Sequence, residues 1–158
     1  MLVAVSSAQA LGLPRQWRWC GNDDSKQSID ACSAIIDSGR KTQTEKSLAE
    51  AYTYRGNIYA DKGETQKAIA DYDQAIKHDP TRDDAFAGRG VQYYSLHDYQ
   101  HAKQDLDAAI RLNPGSALDW AWRSRAKFRL RDIEGANADM AHAHQIDPQV
   151  EDDMPEDE

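Results

Sequence analysis

No run of eighteen or more apolar residues occurs in this 158-residue sequence, so no helical membrane span is expected. Cysteine appears twice, at Cys20 and Cys32, which leaves at most one internal bridge. No nucleophile elbow, phosphate loop or dinucleotide fingerprint is present. The carboxylates are many, but none forms an isolated apolar-flanked pair suited to acid–base work, so an enzyme is not expected. His97 and His101 are four apart, yet Asp98 and an inter-helix turn fall between them and no third ligand is near. His142 and His144 are two apart and point different ways on a helix. Both pairs read as surface residues, with no metal and no cofactor implied. Basic charge is also in deficit: 19 Lys and Arg against 27 Asp and Glu give −8. Six of those acids lie in Glu151–Glu158, and without them the balance is −2. The footprint of a nucleic-acid binder is therefore missing.

What the sequence does have is a period. Pro80, Pro114 and Pro148 stand 34 residues apart, each after Asp or Asn. Each is preceded at fixed intervals by an aromatic (Tyr52, Phe86, Trp120) and by two alanines (Ala68 and Ala75, Ala102 and Ala109, Ala136 and Ala143). Within 49–80, Tyr52, Arg55, Gly56 and Tyr59 have helical spacing, as do Ala68, Ile69, Tyr72, Ala75 and Ile76. Gly63 lies in the polar break between these runs, and proline stops the second one. The unit is helix, turn, helix, stop. Helices are predicted near 26–38, 45–62, 65–78, 82–96, 99–112, 116–130 and 133–146. Gly56 and Gly90 are expected to face the paired alanines, letting the two helices approach closely. The third unit departs from the pattern, with Ser124 in the glycine's place and Lys127 where Tyr59 and Tyr93 stand.

A second regularity is carried by charge. Arg55, Arg89 and Arg123 each precede the small residue of a first helix, and Asp71, Asp105 and Asp139 each lie three places after the first alanine. Charges beside a contact face are costly unless paired, so an Arg–Asp pair is expected in every unit. The alternative is solvated charges on separate faces.

Together the 34-residue period, aromatic, alanines and closing proline resemble the tetratricopeptide repeat (TPR). The resemblance implies an all-α fold, a right-handed α-solenoid of three helix-turn-helix repeats (49–82, 83–116, 117–148) plus an N-terminal half repeat in 15–48. It leaves 1–14 as a residual signal peptide or disordered N-terminus and 149–158 as a disordered acidic tail. It also implies a non-catalytic adaptor that holds a peptide segment of another protein in a concave groove lined by the first helices. Carried over residue by residue, the partner-binding groove comprises Asn57, Asp84, Val91, Tyr94, Leu118, Trp122, Arg125, Phe128 and Arg129. It grades from polar and acidic to basic and aromatic, and Trp122, Arg125, Phe128 and Arg129 point to an acidic or carboxylate-bearing ligand. Asn57 fills one place of the clamp by which chaperone-binding members grip a terminal carboxylate. Thr53, Gly88, Leu118 and Trp122 stand in the other four, so binding of chaperone tails is not expected. The second function reading is a self-assembling homo-oligomer stacked through uncapped array ends. The acidic tail mimics the expected ligand; it is solubilising, or it folds back or enters a neighbour's groove to compete with the partner, and its shortness favours the exchange between chains over folding back.

The N-terminal segment holds Ala8-Gln9-Ala10, which fits a signal-peptidase site, although its apolar stretch is short and a charged start is missing. Residues 28–36 line up with a second helix: Ser28 in place of the first alanine, Cys32 of Tyr72, and Ile35 of the second alanine. Even cysteine parity and the Ala-Gln-Ala site support a Cys20–Cys32 disulfide and a periplasmic or secreted protein. Two free thiols in a cytoplasmic protein is the other reading. The leader, followed by Tyr54-Arg55-Gly56-Asn57, also resembles exported TPR proteins of alphaproteobacteria.

Overall fold

The computed structural model describes residues 20, 25–39 and 43–151. The signal-like segment, Trp17–Trp19 and residues 152–158 of the acidic tail lie outside the described residues. All described regular structure is helical: α1 (Ser25–Ser38), α2 (Glu45–Asp61), α3 (Thr65–His78), α4 (Asp83–Ser95), α5 (Tyr99–Leu112), α6 (Ala117–Arg129) and α7 (Ile133–Ile146). The chain divides after Pro80 into two compact units.

In the first unit, α2 packs on both α1 and α3. Cys20, Ala31, Cys32, Ile35 and Ala51 form a buried cluster, with Ile36, Tyr54 and Ile58 against it. The Cys20 and Cys32 Sγ atoms lie 2.14 Å apart and the Cα atoms 4.7 Å apart. Ser28, Cys32 and Ile35 are all fully buried, as their alignment with a repeat's second helix requires. Ser33 Oγ accepts a 2.8 Å hydrogen bond from Arg55 Nη1, which ties α1 to the first repeat.

In the second unit, α4 pairs with α5 and α6 with α7, while α6 also packs on α5 and α4. The close approach is where the glycines stand, and at Gly56 the facing residue differs from expectation. A Cβ on Gly56 would lie 2.9 Å from the Tyr72 ring, and one on Gly90 would lie 3.1 Å from Leu106 Cγ and 3.2 Å from the Ala102 carbonyl. At Gly56 the bulky Tyr72 between the alanines fills the space, whereas Gly90 faces both Leu106 and the first alanine, Ala102, as expected. Ser124 is tolerated in the third repeat because its hydroxyl donates a 2.7 Å bond to the Ala136 carbonyl. The neighbouring core residue there is Met140, which adapts its shape more readily than Leu or Tyr.

The turn closing each first helix is left-handed at the same repeat position: Gly63 (φ +71°), His97 (φ +61°) and Arg131 (φ +67°). The next N–H folds back over the helix end, from Glu64 to Tyr59, Asp98 to Tyr93 and Asp132 to Lys127. Asp98 and Asp132 then cap the following helix, accepting from the N–H of His101 and Gly135.

All three Arg–Asp pairs form, each by two parallel bonds. Arg55 reaches Asp71 at 2.7 and 2.8 Å, Arg89 reaches Asp105 at 2.7 and 2.7 Å, and Arg123 reaches Asp139 at 2.7 and 2.7 Å. The hydrogen bonds from Arg55 to Asp71 raise the Arg55 pKa against the opposing pull of burial. Aromatic faces cover the guanidinium groups: Tyr52 and Tyr59 over Arg55, Phe86 and Tyr93 over Arg89, and Trp120 over Arg123 at 4.6 Å. Lys127 stands where the second aromatic would be, and its ammonium contacts Asp139 at 2.8 Å.

Candidate functional site

The first helices α4 and α6 present neighbouring side chains on one exposed face of the second unit. A continuous set of ring contacts links them. Tyr94 meets Trp122 edge-on at 5.5 Å and Tyr99 at 5.2 Å, and the Arg125 guanidinium lies over the Trp122 ring at 4.7 Å. Arg125 and Trp122 are three apart on α6, so the helix itself sets this stacking. Phe128 and Arg129 continue the same face by one turn, Phe128 half-buried and Arg129 exposed. Leu118, one turn before Trp122, is 63% exposed, the barest large apolar side chain described. Rigid aromatic area, an exposed leucine and a planar cation are thus side by side. That combination suits an extended chain carrying carboxylates.

Other residues predicted for the site stand apart from this cluster. Asp84 pairs with Arg82 at the start of its own helix, Arg82 Nε to Oδ1 at 2.9 Å. Val91 is half-buried on α4. Asn57 belongs to the first unit, where its Oδ1 accepts a 2.7 Å bond from the Tyr72 hydroxyl. Tyr99 was not among the expected residues, because it starts a second helix and the groove pattern covers only first helices. Its signal is the ring-to-ring spacing, which the sequence does not carry.

Of the two histidine pairs, His97 and His101 are exposed as the surface reading has them, whereas His142 and His144 are engaged differently. His142 stacks on Trp120 at 4.1 Å, and His144 Nε2 lies 3.2 Å from the Val150 carbonyl oxygen. Both are half-buried. His101 pairs with Asp98, and His97 Nδ1 lies 2.7 Å from the Tyr99 hydroxyl. Among the described residues no group of three or more His, Cys, Asp or Glu could hold a metal ion, and no helix is long and apolar enough to cross a membrane.

After α7 the chain does not simply run on. Asp147 Oδ1 accepts from the Gln149 N–H at 2.9 Å and its carbonyl accepts from Val150 N–H at 3.1 Å, a turn favoured by Asp-Pro. Val150 is thereby buried with Ala117, Ala121, Met140 and Ala143. The Glu151 carbonyl then accepts a 3.1 Å bond from Arg125 Nη2. The start of the tail reaches the first-helix face of its own repeat, in the direction of folding back rather than of exchange between chains.

One buried acid completes the picture. Asp119 takes the place of Ala51 and Ala85, is 7% exposed, and sits at the helix start beside Ser116. Burial pushes its carboxyl up to about 6, with the Ser116 hydrogen bond opposing and Asp83 adding to the rise.

The repeat geometry agrees with the sequence comparison. Residues 49–82 match the family model described as tetratricopeptide repeat. Residues 49–82 are a tetratricopeptide repeat, and the described helices share the all-α repeat fold of TPR structures. Among solved structures, the first TPR of Spaghetti (RPAP3), bound to an HSP90 peptide SRMEEVD, is similar at 25% identity and TM-score 0.64, covering 70% of this chain and 86% of that one. The Arabidopsis OM64 TPR domain is 25% identical with TM-score 0.65, over 66% of this chain and 87% of that one. MamA, at 19% identity, shares the fold with TM-score 0.74, over 90% of this chain and 79% of that one. No curated protein sequence matches the chain.

Proposed function

We propose that this TPR protein is a non-catalytic adaptor that binds an acidic, carboxylate-bearing segment of a partner protein on the α4–α6 face. The observation that carries the reading is the stacked Arg125–Trp122 pair, closed by Tyr94, with Arg125 already donating to the carbonyl of a non-helical segment. Trp122 holds the guanidinium flat, and a planar guanidinium suits two parallel bonds to a carboxylate. Leu118 and Phe128 flank the pair with apolar area for the segment's side chains. The peptide held by the RPAP3 repeat supports peptide recognition on this fold. It does not transfer the ligand, because Gly88, Leu118 and Trp122 replace clamp residues here and Asn57 is bonded to Tyr72. Burial of Val150 on the Ala117–Ala121 stripe favours the adaptor reading over end-to-end stacking.

The proposal includes an oxidised Cys20–Cys32 bridge and an extracytoplasmic location, supported by the bonding-distance sulfurs and the Ala-Gln-Ala segment. Thiol titration of the unfolded, unreduced protein purified from its native compartment is expected to find no free thiol; two free thiols overturn this part.

The test of the adaptor reading is cross-linking capture from that same compartment with wild type, Trp122→Ala and Arg125→Ala. Partners recovered by wild type should be lost from both variants by roughly tenfold, as expected for truncated hot spots. Equal recovery by all three removes the α4–α6 face as the binding site.

A further inference from the structure

The acidic run at the end of the sequence begins at a residue that already touches the candidate site. Val150 anchors the segment in an apolar socket made by Ala117, Ala121, Met140 and Ala143, and His144 approaches its carbonyl oxygen. The next residue, Glu151, accepts from Arg125, whose other face lies on Trp122. Two successive carbonyls and one buried side chain thus fix where the chain leaves the described residues, and that exit is on the proposed binding face.

Beyond it lie Asp152, Asp153, Met154, Pro155, Glu156, Asp157 and Glu158. Five of these seven are acidic, and the α6 face they adjoin carries Arg125 and Arg129. Fully extended, seven residues span about 23 Å. Helix α6 has 13 residues and is about 20 Å long. The segment is long enough to pass Arg125, Trp122 and either end of that helix.

We propose that residues 152–158 are an intramolecular ligand of the Trp122–Arg125 face, competing with the partner for the same cations. The proposal rests on the adaptor reading above and adds its regulation. A ligand tethered a few residues from its site acts at an effective concentration in the millimolar range. It therefore blocks weak acidic segments and yields to a partner that gains further contacts on α4. Because the attraction is between exposed charges, it weakens as salt rises.

The test compares the full chain with a full-length variant in which Asp152→Asn, Asp153→Asn, Glu156→Gln, Asp157→Asn and Glu158→Gln remove the charge but keep the length. In two-dimensional NMR spectra, the Trp122 indole N–H and the Arg125 and Arg129 Nε–H signals are expected to shift between the two. The difference should collapse in about 0.5 M salt. Coincident signals at low salt overturn the proposal, whatever the face binds. A fluorescent acidic peptide with the sequence of Glu151–Glu158 is then titrated into both proteins. The neutral-tail variant is expected to bind it about tenfold tighter. Equal binding overturns the competition. Shifted signals with no peptide binding to the variant leave the intramolecular contact standing and bring down the adaptor reading instead.

Discussion

The second and third repeats are built on one frame and finished with different chemistry. Arg89–Asp105 and Arg123–Asp139 have the same doubly bonded geometry, and Asp98 and Asp132 cap α5 and α7 in the same way. Around that frame the third repeat replaces Gly90 by Ser124, Tyr93 by Lys127 and Ala85 by Asp119. It also gathers Trp122, Arg125 and Arg129 on α6. Ser124 is satisfied by a backbone carbonyl and Lys127 by Asp139, while the buried Asp119 carboxyl has only the Ser116 hydroxyl against the cost of its burial. The lesson is that the repeat tolerates new polar groups wherever a partner stands within reach.

Removing the shared frame should cost most. Asp139→Ala leaves Arg123 and Lys127, each with side chains only 14% exposed, facing an emptied site. Urea unfolding is expected to show a loss of about 3 kcal/mol. Asp105→Ala should fall in the same range, and a loss under about 1 kcal/mol for both would mean that the ladder is merely decorative.

Exchanging the small residues sharpens the contrast. Gly90→Ser places a Cβ 3.1 Å from Leu106 Cγ and should destabilise by about 2 kcal/mol. Ser124→Gly loses one hydrogen bond and gains backbone freedom, for a cost of about 1–1.5 kcal/mol. No loss from either exchange would show that the two helix contacts are interchangeable.

Asp119 supplies a pH signature that the second repeat lacks. Its folded-state pKa, about 6, lies above the usual carboxylate value, so the folded chain holds this proton more tightly than the unfolded one. Its contribution to stability therefore falls as pH rises from about 4 to about 6, and stays low above that. Asp119→Asn is expected to gain about 1–2 kcal/mol at pH 7.5, allowing for the water that reaches the carboxylate, and nothing near pH 4. A gain independent of pH would assign the effect to packing. The smallest effect belongs to the turns. His97→Gly and Arg131→Gly each relieve a left-handed residue and should raise stability by about 0.5–1 kcal/mol, visible as a small rise in Tm.

Much of the frame was legible from local rules. The proline period set the helix ends, and α2 to α7 begin and end within a residue or two of their predicted bounds. The Arg–Asp ladder was readable because identical placement in three repeats repeats the same environment three times. The left-handed turns at His97 and Arg131 were readable in principle, since Gly63 occupies their position, but the residue types conceal it. The site was readable only in part. Helical spacing alone places Trp122 and Arg125 together, whereas Tyr99, Val150 and the pairing of Asp84 with Arg82 depend on contacts that no spacing rule contains.

By itself the sequence determined the helix-turn-helix repeat, the pairing partners within it and the acidic end, because these follow from residue type and interval along one chain. Tertiary structure alone decided that Tyr72 and Leu106 fill the space before the glycines, that His142 packs on Trp120, and that Val150 and Glu151 return to α6. Those outcomes turn on which volumes and polar atoms are left open once helices have packed, and that remainder exists only in three dimensions.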